Sequence, residues 1–311
     1  MKILFMGTPD FALSSLRALC ETQENVIGVI TQPDKPRGRG YTLTPPPVKV
    51  YAMEKNIPVY QPNTLRGEEF AALLSELDPD LIVVAAFGKI LPQNVLDYPK
   101  YGCICVHGSL LPKYRGAAPM QRAIIDGEPV TGITTMYMDA GIDTGDMILK
   151  SEVAITPEDN FETIHDKMAA CGAETLLRTL KALREGTITR EKQDDSQSNY
   201  APKIEKADCL IDFTKDATAV HNQIRGLSPI PLSFTHTADG KLLKVTSSRV
   251  VDADKVSSLS AGTVVSLDGE IVIACGRGSV ALLGVLPEGM GRMSASDFIR
   301  GRKVAVGDIL Q

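Results

Sequence analysis

Val106-His107-Gly108-Ser109-Leu110-Leu111-Pro112 sets a histidine where an apolar run, Cys103 to His107, gives way to a small-residue turn. A histidine at the mouth of a buried strand can serve as a general base or stabilise developing charge. Residues two apart on a strand share a face, so Cys105 points the same way as His107. Further along, Met138-Asp139-Ala140-Gly141-Ile142-Asp143-Thr144-Gly145-Asp146 carries three carboxylates among glycines. Such a loop can present a carboxylate that orients an imidazole, or it can be an acidic turn satisfying its own backbone. A third stretch, Gln32-Pro33-Asp34-Lys35-Pro36-Arg37-Gly38-Arg39-Gly40-Tyr41, is basic and glycine-rich. From Asp34 to Lys49 its four basic residues and one acidic residue sum to +3, in a chain whose net charge is −5. It reads as a loop able to reach phosphates, with Tyr41 available for stacking, or as a solvated flexible loop. Lys113, Arg115 and Arg122 continue the basic character beyond the histidine.

Elements able to hold these residues are readable from the apolar pattern. Lys2 to Met6, Val26 to Thr31, Leu81 to Ala86 and Cys103 to His107 are uniformly apolar strands separated by helical segments, the pattern of a parallel sheet covered on both faces. Thr8 and Pro9, and again Thr156 and Pro157, have the form of a helix cap followed by a first-position proline. Phe161 to Leu183 predicts a long amphipathic helix ending near Gly186. The polar stretch Thr187 to Ser198 reads as a linker. A short helix, Ala217 to Arg225, and short strands at 242–245, 262–265, 270–274 and 279–283 follow, separated by glycine turns. That pace predicts a small β-barrel. In such α/β sheets ligands bind beyond the C-terminal strand ends, where His107 is expected.

At 311 residues the chain is about twice a typical domain. With 43% apolar and 23% charged residues it is neither a disordered nor a membrane sequence. Its charge excludes a wholesale basic nucleic-acid binder but not a local basic patch. The six cysteines have no paired spacing and no export signal is recognisable, which reads as a reduced, cytoplasmic chain. Gly7 follows the first strand without the later glycines of a dinucleotide loop, so a nicotinamide cofactor is not expected. No metal is expected either, because Cys103 and Cys105 lack a second pair at zinc-like spacing.

Nearly end to end, the chain resembles the methionyl-tRNA formyltransferases, within the wider 10-formyltetrahydrofolate-dependent formyltransferase family. The resemblance rests on Phe5-Met6-Gly7-Thr8-Pro9-Asp10-Phe11-Ala12, on Gln32-Pro33-Asp34 and Pro47-Val48-Lys49 around the basic loop, and on Val106 to Pro112 with Arg115-Gly116-Ala117-Ala118-Pro119. It extends to Asp143-Thr144-Gly145-Asp146, 36 residues after His107, to Tyr200-Ala201-Pro202-Lys203, and to Met293-Ser294-Ala295. It implies an α/β fold: a Rossmann-like, mostly parallel formyltransferase domain over 1–186, a linker over 187–204, and a smaller OB-like β-barrel for tRNA over 205–311. It implies transfer of a formyl group from 10-formyltetrahydrofolate, as co-substrate, to the amine of initiator methionyl-tRNA, by a monomer with no membrane or obligate protein partner. His107 and Asp143 are the implied catalytic residues. Phe87, Gly88, Ile90, Ser109, Leu110, Leu111, Pro112, Ala140 and Gly141 are the implied folate contacts. Lys35, Arg37, Arg39, Lys113 and Arg115 are the implied tRNA contacts.

One position departs from the family pattern: Cys105 stands where the family carries asparagine. An amide is a good neutral donor to an oxyanion and a thiol is a weak one. The chain is therefore expected to be a slowed formyltransferase, to use another donor or water, or to use Cys105 as a thiolate activated by His107. A non-catalytic tRNA-binding homologue and a formyltransferase for a small amine remain as alternative readings.

Overall fold

The computed structural model describes residues 1–37, 42–255 and 258–311. The chain divides into two compact units. One comprises Met1–Pro119, Val130–Ala154 and His165–Ala201; the other comprises Met120–Pro129, Ile155–Ile164 and Pro202–Gln311.

The first unit opens with β1 (Ile3–Gly7), every residue of which is buried, and α1 (Asp10–Glu21). Pro9 is itself the N-cap of α1 rather than its first helical residue, and Thr8 does not cap the helix. The Pro9 carbonyl accepts the first bonds of α1, from Ala12 and Leu13, while the Thr8 hydroxyl accepts from the Gln32 amide at 3.2 Å. β2 (Val26–Ile30) leads to the short antiparallel pair β3 (Lys35–Arg37) and β4 (Thr42–Thr44). There follow α2 (Pro47–Glu54), β5 (Val59–Tyr60), α3 (Glu68–Leu77), β6 (Leu81–Ala85), α4 (Gln93–Leu96) and β7 (Cys103–His107). After β8 (Arg115–Gly116) and α5 (Pro119–Ile125) come β9 (Val130–Tyr137), β10 (Met147–Ala154), α6 (Phe161–Glu185) and β11 (Tyr200–Ala201).

The main sheet has the order β10-β9-β7-β6-β1-β2-β5. From β7 to β5 the strands are parallel, while β9 runs antiparallel to both β7 and β10. β1, β6 and β7 are buried along their whole length, as uniformly apolar strands covered on both faces must be. The β9–β10 pair has no counterpart in the sequence reading. Its threonines hide it: Thr131, Thr134 and Thr135 are buried despite their hydroxyls. The Thr135 hydroxyl is satisfied by Thr179 of α6 at 2.8 Å. α6 also starts later than Thr156-Pro157 suggests, because Thr156 donates its amide and hydroxyl to Asp159 and the Asn160 carboxamide caps Thr163 N at 3.0 Å.

In the second unit, α7 (Ala217–Gly226) is capped by Asp216, which accepts from the Ala219 amide at 2.8 Å. β12 (Ser233–His236), β13 (Leu242–Asp252), β14 (Val264–Ser266), β15 (Ile271–Ala274) and β16 (Ser279–Pro287) follow, then β17 (Met293–Ser294) and α8 (Ala295–Arg300). The sheet order is β12-β13-β16-β15-β14, with β17 added to β16. The expected small barrel takes the form of a curled antiparallel half-barrel. Register shifts where β13 meets β16, around Thr246–Ser248 and Val251, supply curl and allow strands longer than the turn signals suggest. Val220 and Ile224 of α7 and Phe298 of α8 pack on Val245, Ile273 and Val280.

Candidate active site

β7 runs into the core from Cys103 and delivers His107 at its C-terminal end. The His107 side chain is 7% exposed and that of Asp143 18% exposed, so the pair is shielded without being sealed. His107 Nδ1 lies 3.5 Å from Asp143 Oδ2, and Nε2 lies 3.0 Å from the Tyr114 carbonyl. The first separation is longer than an N–H···O hydrogen bond and must close by about 0.5 Å to become one. Both ring nitrogens thus face oxygen atoms. Asp143 Oδ2 is meanwhile held by the Gly116 amide at 2.8 Å. Gly116 sits at φ +117°, and a Cβ there would press on the Tyr200 ring and the Ala201 carbonyl, so this donor has to come from glycine.

The turn after His107 is fastened from β9. The Thr134 hydroxyl donates to the Ser109 carbonyl at 2.7 Å and accepts from the Leu111 amide at 3.0 Å. Ser109 is itself fully buried and donates to the Lys113 carbonyl at 2.6 Å; Leu111 is in the core. Among the expected folate residues, then, Ser109 and Leu111 hold the turn from inside, while Leu110 and Pro112 are half-buried. Phe87 is buried against the β1 and β6 core, while Gly88 and Ile90 lie at the surface of the turn after β6. The Gln32 carboxamide donates to the Phe87 carbonyl at 3.0 Å, tying the base of the basic loop to that turn. Ala140 and Gly141 are exposed, in a loop closed by Asp139, which accepts from Gly141 N at 3.0 Å and from the Thr144 hydroxyl at 2.7 Å.

The basic residues are placed unequally. Lys35 is exposed at the start of β3, Arg37 ends that strand, and Lys113 is exposed. Arg39 and Tyr41 lie outside the described residues. Arg115 is 11% exposed and turns its guanidinium inward, donating from Nε to Gln193 at 2.9 Å and from a terminal nitrogen to Asp195 at 2.8 Å. Lys49, Asp34 and Gln61 form a clamp at the base of the basic loop: Lys49 Nζ lies 2.9 Å from Asp34 and 2.8 Å from Gln61.

Cys105 is buried against Leu111, Met136 and Met147. Burial, and secondarily the Asp143 carboxylate, push its thiol above the ordinary range, and burial with Asp97 pushes Cys103 up to about 12. A raised thiol pKa means less thiolate at any given pH, which argues against a nucleophile at Cys105. In native protein at pH 8, Cys103 and Cys105 are expected to resist iodoacetamide and to react fully in urea. Peptide mass spectrometry checks this; native labelling of Cys105 would restore the thiolate reading.

The residues that sequence reasoning missed are Thr134, Tyr114 and Gln193, whose bonds involve main-chain carbonyls that no motif marks; Gly116 lies in a quoted motif, but nothing there marks its amide as the donor to Asp143.

Residues 1–180 match the family model described as formyl transferase, and residues 203–303 match the formyl transferase C-terminal domain. The methionyl-tRNA formyltransferase of Geobacter metallireducens is 49% identical over 308 residues, covering 99% of this chain and 97% of its own. That of Acetivibrio thermocellus is 48% identical over 312 residues, covering 100% and 99%. The chain belongs to the methionyl-tRNA formyltransferase family.

The fold of this family member is shared with distant solved structures. An N-formyltransferase from Helicobacter canadensis, in complex with folinic acid and dTDP-3-aminofucose, matches with a TM-score of 0.68 at 20% identity, over 91% of this chain and 98% of its own. The sugar 3N-formyltransferase WlaRD matches with a TM-score of 0.66 at 19% identity, over 93% and 98%. Among the described residues no helix is long and apolar enough to cross a membrane.

Proposed function

We propose that this formyltransferase moves the formyl group of 10-formyltetrahydrofolate to the free amine of initiator methionyl-tRNA, in the cytoplasm and as a monomer. The observation that carries the reading is the near-50% identity, end to end, with curated enzymes of that name. The pairing of His107 with Asp143 at the sheet's C-terminal edge supports it.

The amine nitrogen attacks the formyl carbon, whose oxygen becomes an oxyanion in the tetrahedral intermediate. Collapse breaks the bond to the folate N10, and the proton lost by the amine ends on that nitrogen. The His107 Nε2 proton, which meets the Tyr114 carbonyl in the free protein, is the one available to the oxyanion. As the intermediate collapses, Nε2 gives that proton to N10 and takes the amine's proton in its place, while Asp143 holds the ring in orientation. Cys105 adds a weak S–H donor where an amide would be stronger.

Folate is taken by the exposed residues Gly88, Ile90, Ala140 and Gly141 together with the half-buried Leu110 and Pro112, with Phe87 buried behind its own turn. Ser109 and Leu111 act by fixing the backbone of the turn that carries Leu110 and Pro112. Lys35, Arg37, Arg39 and Lys113 attract the tRNA backbone, a local positive loop in an acidic chain. Arg115, expected with them, has its guanidinium engaged within the protein, so its part is to hold the site.

An acceptor competition tests the reading. Labelled formyl from 10-formyltetrahydrofolate is expected to appear on methionyl-tRNA, not on free methionine or an amino-sugar nucleotide, and KM for the tRNA is expected to rise steeply with salt. Label on the amino sugar alone would make this a small-amine enzyme. Salt-sensitive tRNA binding without any transfer would make it a binder.

A further inference from the structure

The polar stretch after α6 looks like a connector in the sequence, yet it grips the loop that carries Asp143. The carboxamide nitrogen of Gln193 donates to two carbonyls, of Asp143 and of Gly145, each at 2.8 Å. A primary amide has two N–H groups, and both are used on one turn. Its oxygen accepts from Arg115 Nε at 2.9 Å, which fixes which way the amide faces. Arg115 is in turn held by Asp195 at 2.8 Å.

The turn needs such support. Asp143 is a non-glycine residue at φ +54°, a left-handed conformation that its own backbone does not favour. Gly145 is packed so tightly that a Cβ would lie 1.8 Å from the Tyr137 carbonyl, so the loop cannot drift on that side. Asp143 is then fixed twice: its carboxylate by the Gly116 amide and its main chain by Gln193. Arg115 and Gly116 are consecutive residues of β8, so the residue that orients Gln193 and the amide that holds the Asp143 carboxylate sit side by side on one strand, which pairs with β11.

We propose that Gln193 is a positioning residue of the active site, setting the aim of Asp143 on His107 through its clamp on the Asp143 turn, with Arg115 orienting the clamp. This deepens the formyl-transfer reading and rests on it for its kinetic arm. Neither residue touches the reacting atoms; both act through Asp143.

The test uses Gln193→Glu and Gln193→Ala in the full-length protein. Glutamate keeps the shape and the Arg115 contact but sets an oxygen against the two carbonyls; alanine removes the clamp. Both are expected to lower kcat about ten-fold or more, with KM for methionyl-tRNA and for 10-formyltetrahydrofolate within about two-fold of wild type. Glutamate, although nearly isosteric, is expected to be at least as harmful as alanine. Combined with Asp143→Asn, Gln193→Ala is expected to add less than about two-fold, because its route to His107 is already cut.

A readout free of the acceptor substrate separates this proposal from the formyl-transfer reading. The NMR resonances of the His107 ring, in a protein of only four histidines, are expected to shift at constant pH in the uncharged Gln193→Ala variant as they shift in Asp143→Asn. If wild type transfers no formyl group, those resonances still decide the clamp. Multiplicative losses with Asp143→Asn, an unchanged kcat, a rise confined to the tRNA KM, or His107 ring resonances unmoved by Gln193→Ala would each overturn the proposal.

Discussion

Replacing His107 by alanine is expected to lower kcat for formyl transfer by about 1,000- to 10,000-fold while KM for both substrates changes little. The ring is asked for two contributions, a donor to the oxyanion and a carrier for the migrating proton, and each is worth on the order of 100-fold or more. Its place explains why no neighbour can substitute. β7 ends at His107, the turn beyond it is tied to Thr134, and the ring is enclosed between Asp143 and the Tyr114 carbonyl. His107→Gln is the informative companion. It keeps a neutral N–H donor but cannot carry a proton, so it is expected to fall between alanine and wild type. Steady-state kinetics with circular dichroism as the folding control check both. Equal losses in the two variants would mean that proton transfer alone is the role of the ring.

Cys105→Asn is expected to raise kcat, by up to about 100-fold, without changing affinity for tRNA. The thiol is kept protonated by burial and by the nearby Asp143 carboxylate, so at neutral pH it offers only an S–H donor. An amide two residues before His107, on the same strand face, restores a full oxyanion donor, and one such donor is typically worth about 100- to 1,000-fold. Room for the larger side chain must come from Leu111, Met136 and Met147, and methionines adapt more readily than branched side chains. An amide without full partners in that apolar setting is expected to cost about 1–3 kcal/mol of stability, so activity should rise as the melting temperature falls. Parallel initial rates and thermal melts check this. Loss of activity in Cys105→Asn would mean that the thiol itself takes part in the chemistry.

What the sequence revealed depended on how each residue meets its needs. β1, β6 and β7 were legible because a strand buried on both faces can carry only apolar side chains. β9 was not, because its buried threonines look polar until their partners, the Ser109 carbonyl and the Thr179 hydroxyl, are known. Pro9 and Thr156-Pro157 misled for a related reason: a helix start is set by which oxygen accepts the first free amides, and here those are the Pro9 carbonyl and Asn160. His107 and Asp143 could be singled out from residue type, loop context and resemblance, and the fold brings them within 3.5 Å. Gln193 could not. A glutamine in a polar stretch carries no mark of the carbonyls it will hold.

We assign formyl transfer to an aminoacyl-tRNA amine to the His107–Asp143 site. A rapid-quench single turnover, with enzyme in excess over methionyl-tRNA and labelled 10-formyltetrahydrofolate saturating, tests it most directly. One label per tRNA is expected in the methionyl amide, with one tetrahydrofolate released, and that transfer is expected to collapse in His107→Ala. Transfer by His107→Ala at the wild-type rate, or bound methionyl-tRNA that never acquires label, would contradict it.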